Sequence, residues 1–150
     1  AWLGGGGGDR GVAGREALEA AGVPITGWLP REEVLGRIAE ASAYLHYTAW
    51  DGLPLSVLEA VALDVVVVAS DIQPNRQILG DDGVCATEEE AIARLRRIVA
   101  DPGYAQSLRE AQRARRDEFS ASRMVQRWHE VYDELVGAAP RSASASTAAV

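Results

Sequence analysis

The sequence predicts an α/β fold in which a parallel sheet carries helices on both faces. Short apolar segments rich in β-branched residues alternate with segments whose apolar residues recur at helical spacing. One run, residues 65–69, is apolar at every position, which is typical of a strand buried on both faces of a parallel sheet. The 150 residues are 47% hydrophobic and 25% charged, so the chain is long and apolar enough to bury a core.

The first two thirds of the chain alternate between the two kinds of element. Gly22 ends the first helix, and Pro54 stands at a first helical position, where proline is favoured. The predicted elements are a strand stub at 1–3, a helix at 13–21, a strand at 23–26, a helix at 31–42, a strand at 43–47, a helix at 54–62, a strand at 65–69, a helical turn at 75–79 and a strand at 84–86.

The last third is predicted to be helical up to residue 136. Thr87 with Glu90 forms a capping-box pattern, Asp101 precedes Pro102 at a second helix start, and Ser120 precedes a third. The third helix has an apolar face that we expect to pack as core: Met124, Val125, Trp128, Val131, Tyr132 and Leu135. We therefore expect one domain over residues 1–136 and a disordered Ser/Ala-rich tail over 137–150.

Composition excludes several classes of function. The net charge of −7 argues against nonspecific nucleic-acid binding, and no nucleic-acid partner is expected. All 15 basic residues are Arg, so no Schiff-base or P-loop lysine lies in this chain. Cys85 is the only cysteine, which excludes a disulfide framework and favours a reducing, cytoplasmic setting. His46 and His129 are too far apart for a local metal motif, and we expect His46 to be a satisfied core histidine.

The segment from Asp51 to Glu59 is the most specific feature. It is a glycine loop, a helix start and an acid in the second helical turn, placed after a predicted strand. Ligands of parallel sheets bind beyond the carboxyl ends of the strands, where loops 4–9, 48–53 and 70–74 would meet. A helix N-terminus there suits a diphosphate, and two carboxylate oxygens match two adjacent ribose hydroxyls. Spacing alone does not decide between two such ligand-binding acids and the alternative, in which Asp51 is an ordinary turn residue and Glu59 a surface residue.

Residues 51–71 resemble the E-x7-E segment of family 4 retaining glycosyltransferases, which are two-domain GT-B enzymes. Further agreement comes, in the same order along the chain, from Gly27-Trp28-Leu29-Pro30 before a helix, from Ser70-Asp71-Ile72 with Asn75-Arg76, and from Phe119-Ser120. The resemblance covers about residues 1–136. It implies the C-terminal, Rossmann-like half of a GT-B fold, which binds the nucleotide diphosphate sugar.

The resemblance also implies a role for each matched residue. Glu59 would bind the donor ribose hydroxyls, and Asp51, one methylene shorter than the usual Glu, would face the transferred sugar; these two are the candidate catalytic residues. Asp64 replaces a glycine common at this helix end. Donor binding would further involve backbone N–H groups toward the sugar and phosphate and a loop against the base: Gly52, Leu53 and Leu55, and Gly27, Trp28 and Leu29.

The function implied is transfer of a hexose to an acceptor hydroxyl with retained anomeric configuration and without a metal or other cofactor. The family's diphosphate-binding basic pair and its first strand are not found in this sequence, nor is an N-terminal acceptor domain, through which any peripheral membrane association would arise. We therefore expect this chain alone to be inactive as a transferase. Two alternatives remain open: a noncatalytic α/β interaction module, and part of a GT-B-type nucleotide-sugar epimerase. Arg76 is expected either to reach a ligand or to pair with Asp71.

Overall fold

A computed structural model describes residues 8–138, with the side chains of 8–13 and of 138 left aside. The predicted stub at 1–3, most of the glycine run and residues 139–150 lie outside the described residues. The described residues form seven α-helices, three strands and two 3-10 turns: α1 (Gly8–Ala20), α2 (Arg31–Ala39), β1 (Tyr44–His46), α3 (Leu55–Ala62), β2 (Val67–Ser70), α4 (Gln73–Leu79), a turn at Asp81–Gly83, β3 (Val84–Cys85), α5 (Glu88–Ala100), α6 (Pro102–Arg115), a turn at Arg116–Phe119, and α7 (Ala121–Ala138).

The three strands form one parallel sheet in the order β1-β2-β3. Tyr44 is paired with Val67 across β1 and β2, and Ala69 with Val84 across β2 and β3. Each crossover between them contains helix, as parallel strands require. The predicted α/β class with a Rossmann-like parallel sheet is thus confirmed.

β2 is the centre of the core. All four of its residues are buried, as the apolar run predicted. Val66 and Val68 pack with Cys85 and with α5 and α6, through side chains such as Ile98 and Leu108. α3 and α4 also contact β2. Burial on both faces explains why this strand has no polar alternation.

A buried glutamine on α6 completes the hydrogen bonding of β2. Gln112 is 2% exposed, and its side-chain amide donates to Val67 O at 2.7 Å while its Oε1 accepts from Val67 N at 2.9 Å. β3 pairs only with Ala69 and Ser70, so the amide takes the place of a neighbouring strand at Val67. A Cβ at Gly83 would lie 2.4 Å from the Leu79 Cβ and 3.1 Å from Gln112 Nε2, so only glycine fits there without a shift.

The end of α3 is a Schellman motif with an aspartate in the left-handed region. Val65 N donates to Ala60 O, Asp64 N donates to Val61 O, and Asp64 has φ of 63°. Glycine is the usual residue at such a position, because an L side chain is strained there. The Asp64 carboxylate is held by Arg113 of α6, so the departure from glycine adds a link between two helices.

Helix starts agree with the sequence at all three predicted caps. The Ser120 hydroxyl accepts from Arg123 N at the start of α7. The Thr87 hydroxyl accepts from Glu90 N, and the Asp101 carboxylate accepts from Tyr104 N. Glu90 reaches back to the backbone N–H of Ala86 instead of that of the cap residue. These local signals predict well because each joins residues three or four positions apart.

Several boundaries differ from the prediction. α1 begins at Gly8, five residues earlier than expected, and the expected strand at 23–26 is reduced to single bridging residues, Ile25 and Gly27. Pro54 is the N-cap of α3 instead of its first residue. α7 runs two residues beyond the predicted end at 136, a difference common at fraying helix ends.

The chain divides into two compact units, one ending at Arg116 and one beginning at Asp117. The second unit contains α7. The apolar face of this helix was expected to be core, and that expectation is wrong: its six apolar side chains are between 44% and 64% exposed. Helical spacing marks an amphipathic face but does not say what covers it.

Candidate functional site

Hydrogen bonds join the loops that follow β1 and β2 at the carboxyl edge of the sheet. The Ser70 hydroxyl donates to Thr48 O at 2.6 Å and accepts from Thr48 N at 3.1 Å. The side-chain amide of Asn75 in turn donates to Ser70 O at 2.9 Å. The predicted meeting of these two loops is therefore confirmed, and the start of the 48–53 loop is fixed to the sheet.

This loop leads into the N-terminus of α3, which follows Pro54. Val57 N and Leu58 N both donate to Pro54 O, closing the first turn. Within residues 8–138, the N–H groups of Gly52, Leu53 and Leu55 donate to no protein acceptor. Free amides and the positive end of the helix dipole give this end the chemistry of an anion site.

Asp51 lies on the same loop and faces the end of β1. One of its carboxylate oxygens, Oδ2, is 3.4 Å from His46 Nε2. The side chains are 30% and 18% exposed, respectively. Nε2 is fully buried and forms no hydrogen bond, so the expected satisfied core histidine is not what the structure contains.

Glu59 lies on α3 with its side chain 23% exposed, and it forms an ion pair with Arg31. The guanidinium Nη2 of Arg31 is 2.6 Å from Glu59 Oε1. Arg31 is the first residue of α2, so this contact ties the start of α2 to α3. The acid is therefore neither deeply buried nor freely solvated; it sits at a junction of two helices.

The predicted base-binding loop leads into the residue that contacts the predicted ribose-binding acid. Gly27, with φ of 69°, turns the chain before Trp28 and Leu29, and α2 begins directly after Pro30. The Trp28 side chain is 88% exposed, and Leu29 is partly buried. Arg31, two residues after Leu29, thus links the end of this loop to Glu59 on α3.

Arg76 is held by two carboxylates. Its Nε donates to Asp71 Oδ1 at 3.1 Å, and its Nη1 contacts Asp81. Hydrogen bonds to Asp71 first and to Asp81 second raise the pKa of Arg76 above its usual value. Of the two expectations for Arg76, the pairing with Asp71 is confirmed.

Three side chains that contact the candidate acids or their loop were not predicted from the sequence. Arg31, the hydroxyl of Ser70 and the imidazole of His46 were given no such role. The contacts of Arg31 with Glu59 and of Ser70 with Thr48 each join residues more than 20 positions apart, and no local sequence pattern predicts them. A serine closing a buried apolar run was the one usable signal, because a buried hydroxyl requires a partner.

Between residues 8 and 138, no three His, Cys, Asp or Glu side chains are grouped so that they could hold a metal ion. Over the same part of the chain, no helix combines the length and apolar character that crossing a membrane requires.

Comparison with known proteins identifies the family. The family model of the glycosyl transferases group 1 matches residues 10–115, more than two thirds of the chain. No curated protein matches the chain. The matched range contains the sheet, the 27–30 loop, the 48–53 loop, Asp51 and Glu59. The chain therefore belongs to the glycosyl transferases group 1.

Proposed function

We propose that this chain is the nucleotide diphosphate sugar-binding domain of a retaining, family 4-like glycosyltransferase of GT-B architecture. The observation that supports the proposal best is the contact between Glu59 and Arg31, at 2.6 Å. It joins a carboxylate on α3 to the first residue of α2, which follows the loop of Gly27, Trp28 and Leu29. The proposal assigns the ribose to this carboxylate and the base to this loop.

The Glu59 carboxylate suits a ribose because it has two oxygens and can accept several hydrogen bonds at once. Arg31 uses one of these oxygens, Oε1. The Arg31 side chain is 74% exposed, so its guanidinium can turn into solvent when the ribose hydroxyls donate to Glu59. A hydrogen bond from a hydroxyl to a charged acceptor contributes about 1.5–3 kcal/mol.

The diphosphate would lie at the N-terminus of α3. The amides of Gly52, Leu53 and Leu55 are available there, while Pro54 has no N–H to donate. Asp51, on the same loop, would accept from hydroxyls of the transferred hexose. The donor would then span from the 27–29 loop to the 48–53 loop.

In the proposed reaction, the bond between the anomeric carbon and the diphosphate oxygen breaks, and negative charge develops on the leaving diphosphate. Fixed amide dipoles at the α3 N-terminus stabilise that charge, and the two carboxylates hold the donor in one orientation. The oxygen of the acceptor's hydroxyl forms the new bond to the anomeric carbon, and the proton of that hydroxyl passes to the leaving diphosphate. The surface that binds the acceptor would come from a further, N-terminal domain.

Calorimetric titration of this chain with uridine, guanosine and adenosine diphosphates tests the proposal. We expect one of them to bind, and Glu59→Gln to weaken that binding by roughly 10- to 100-fold, because one or two charged hydrogen bonds are lost. Glu33→Gln is the matched control, since Glu33 is an exposed acid on α2 that pairs with Arg37 within its own helix. It should change the affinity by less than about twofold.

Two outcomes would contradict the proposal. One is that the folded chain binds none of the three nucleotides. The other is that Glu59→Gln and Glu33→Gln have the same small effect. In either case Glu59 would be a structural acid paired with Arg31, and the domain would need another explanation.

A further inference from the structure

His46 and Asp51 form a contact that neither the fold nor the family match explains. His46 is the last residue of β1 and is paired with Ala69 of β2, so the backbone that carries the imidazole is held in the sheet. Asp51 lies five residues later, on the loop before α3. The imidazole Nε2 is buried, forms no hydrogen bond, and lies 3.4 Å from Asp51 Oδ2.

A buried ring nitrogen without a hydrogen bond destabilises the folded state, because no protein contact replaces the hydrogen bond it makes to water in the unfolded chain. The distance of 3.4 Å is just longer than the usual 2.7–3.2 Å of an N–H···O hydrogen bond, so a small rotation of Asp51 would complete one. The two side chains differ in freedom, because one is on a paired strand and the other on a loop. Of the two side chains, the imidazole is therefore carried by the more firmly held backbone.

We propose that His46 is a positioning residue that directs the Asp51 carboxylate toward the hydroxyls of the donor sugar. This inference rests on the proposed function. When Nε2 holds Oδ2, the second oxygen, Oδ1, is left for a sugar hydroxyl. Asp51 has a short side chain and lies on a loop, and loops are generally more mobile than strands. A neighbour on a strand would limit the orientations of its carboxylate, as a contact with a sugar hydroxyl requires.

We expect His46 to affect the binding affinity that the sugar contributes and not the affinity for the nucleotide. Asp51 would face the sugar, whereas Glu59, on α3, would face the ribose. Loss of His46 should therefore reduce the affinity added by the sugar and leave the affinity for the nucleoside diphosphate unchanged. A merely structural role would lower both affinities together.

The experiment is calorimetry on the full chain with the nucleoside diphosphate that binds and with its glucose conjugate. The ratio of the two dissociation constants measures the contribution of the sugar. We expect His46→Leu to change this ratio by roughly 5- to 10-fold toward weaker sugar binding. His46→Gln keeps an N–H donor near the position of Nε2 and should recover most of the loss.

Asp51→Ala provides the matched comparison. It should change the ratio at least as much as His46→Leu, and the double variant should be no worse than Asp51→Ala alone, because the histidine acts through the aspartate. Thermal unfolding followed by circular dichroism shows that each variant is folded. If His46→Leu proves unfolded, the comparison between wild type and His46→Gln, together with the effect of Asp51→Ala on the ratio, decides the question.

Three results would overturn the inference. The first is that His46→Leu leaves the ratio of dissociation constants unchanged, and the second is that it weakens the binding of both ligands equally. The third is that Asp51→Ala leaves the ratio unchanged. Each of these results leaves the proposed nucleotide binding intact. If the wild-type chain binds no nucleoside diphosphate, the proposed function fails and this inference fails with it.

Discussion

At the scale of single residues, each candidate acid is paired with one cation or imidazole from a neighbouring element. Glu59 contacts Arg31 at the start of α2, and Asp51 faces His46 at the end of β1. A partly buried carboxylate without a partner would be costly, so these neighbours explain how a short apolar helix and a glycine loop can carry two acids.

Asp64 is a residue-scale departure whose contribution depends on pH. The hydrogen bond from Arg113, reinforced by its charge, lowers the pKa of Asp64 below its usual value. The unfolded chain therefore binds the proton first as pH falls, and the stability that this carboxylate contributes is complete above about pH 5 and is lost as pH falls below about 4 through the depressed native pKa.

We expect the free energy of unfolding of Asp64→Asn to be lower than that of the wild type at pH 7 and to converge with it in acid. Asn tolerates the left-handed backbone, so the substitution isolates the charge. Urea denaturation at a series of pH values measures the difference, and Arg113→Gln should reproduce it. A difference that stays constant from neutral pH into the acid range would show that the ion pair contributes nothing.

At the scale of elements, α6 completes β2 through one side chain. Gln112 satisfies both the N–H and the C=O of Val67, where no strand is paired on that side. This contact joins residues 45 positions apart, and the glutamine lies among the arginines and alanines of an otherwise polar helix. Helical spacing puts it on the same face as the buried Ala105 and Leu108, unlike the exposed Gln106, but the spacing does not reveal the hydrogen bonds to Val67.

Replacing Gln112 with Leu should lower the free energy of unfolding by about 2–4 kcal/mol. The substitution leaves two buried backbone groups without partners, each costing about 1–3 kcal/mol. Gln106→Leu on the same helix is the control and should stay within about 0.5 kcal/mol of the wild type, because Gln106 is exposed. Urea denaturation followed by circular dichroism measures both. Equal effects of the two substitutions would refute the account of β2.

At the scale of the whole molecule, what the sequence predicted correctly is local. The apolar run at 65–69 indicated the central strand, and Thr87, Asp101 and Ser120 indicated three helix starts, because a cap or a buried strand is encoded within a few residues. The resemblance to glycosyltransferases agreed with the family match over residues 10–115, while membership of family 4 and the retaining mechanism stay predictions. The roles assigned to Asp51, Glu59 and the 27–29 loop stay predictions.

What could not be predicted from the sequence is long-range or depends on a covering surface. The Arg31 contact of Glu59 and the Thr48 contact of Ser70 depend on how α2 and the loops come together in three dimensions. The apolar spacing of α7 did not reveal that Trp128 and its neighbours are exposed. Periodicity reports which face of a helix is apolar, whereas burial is decided by the rest of the fold.

The central claim is that the Glu59 carboxylate accepts hydrogen bonds from the hydroxyls of a ribose. The most direct test is a thermodynamic cycle in which the nucleoside diphosphate that binds and its 2′-deoxy analogue are each titrated against wild type and Glu59→Gln. We predict that removing the 2′-hydroxyl weakens binding to the wild type by roughly tenfold and binding to Glu59→Gln by less than about twofold, because both changes remove the same interaction. Equal losses for the two proteins would show that Glu59 and the ribose do not touch, and would contradict the account.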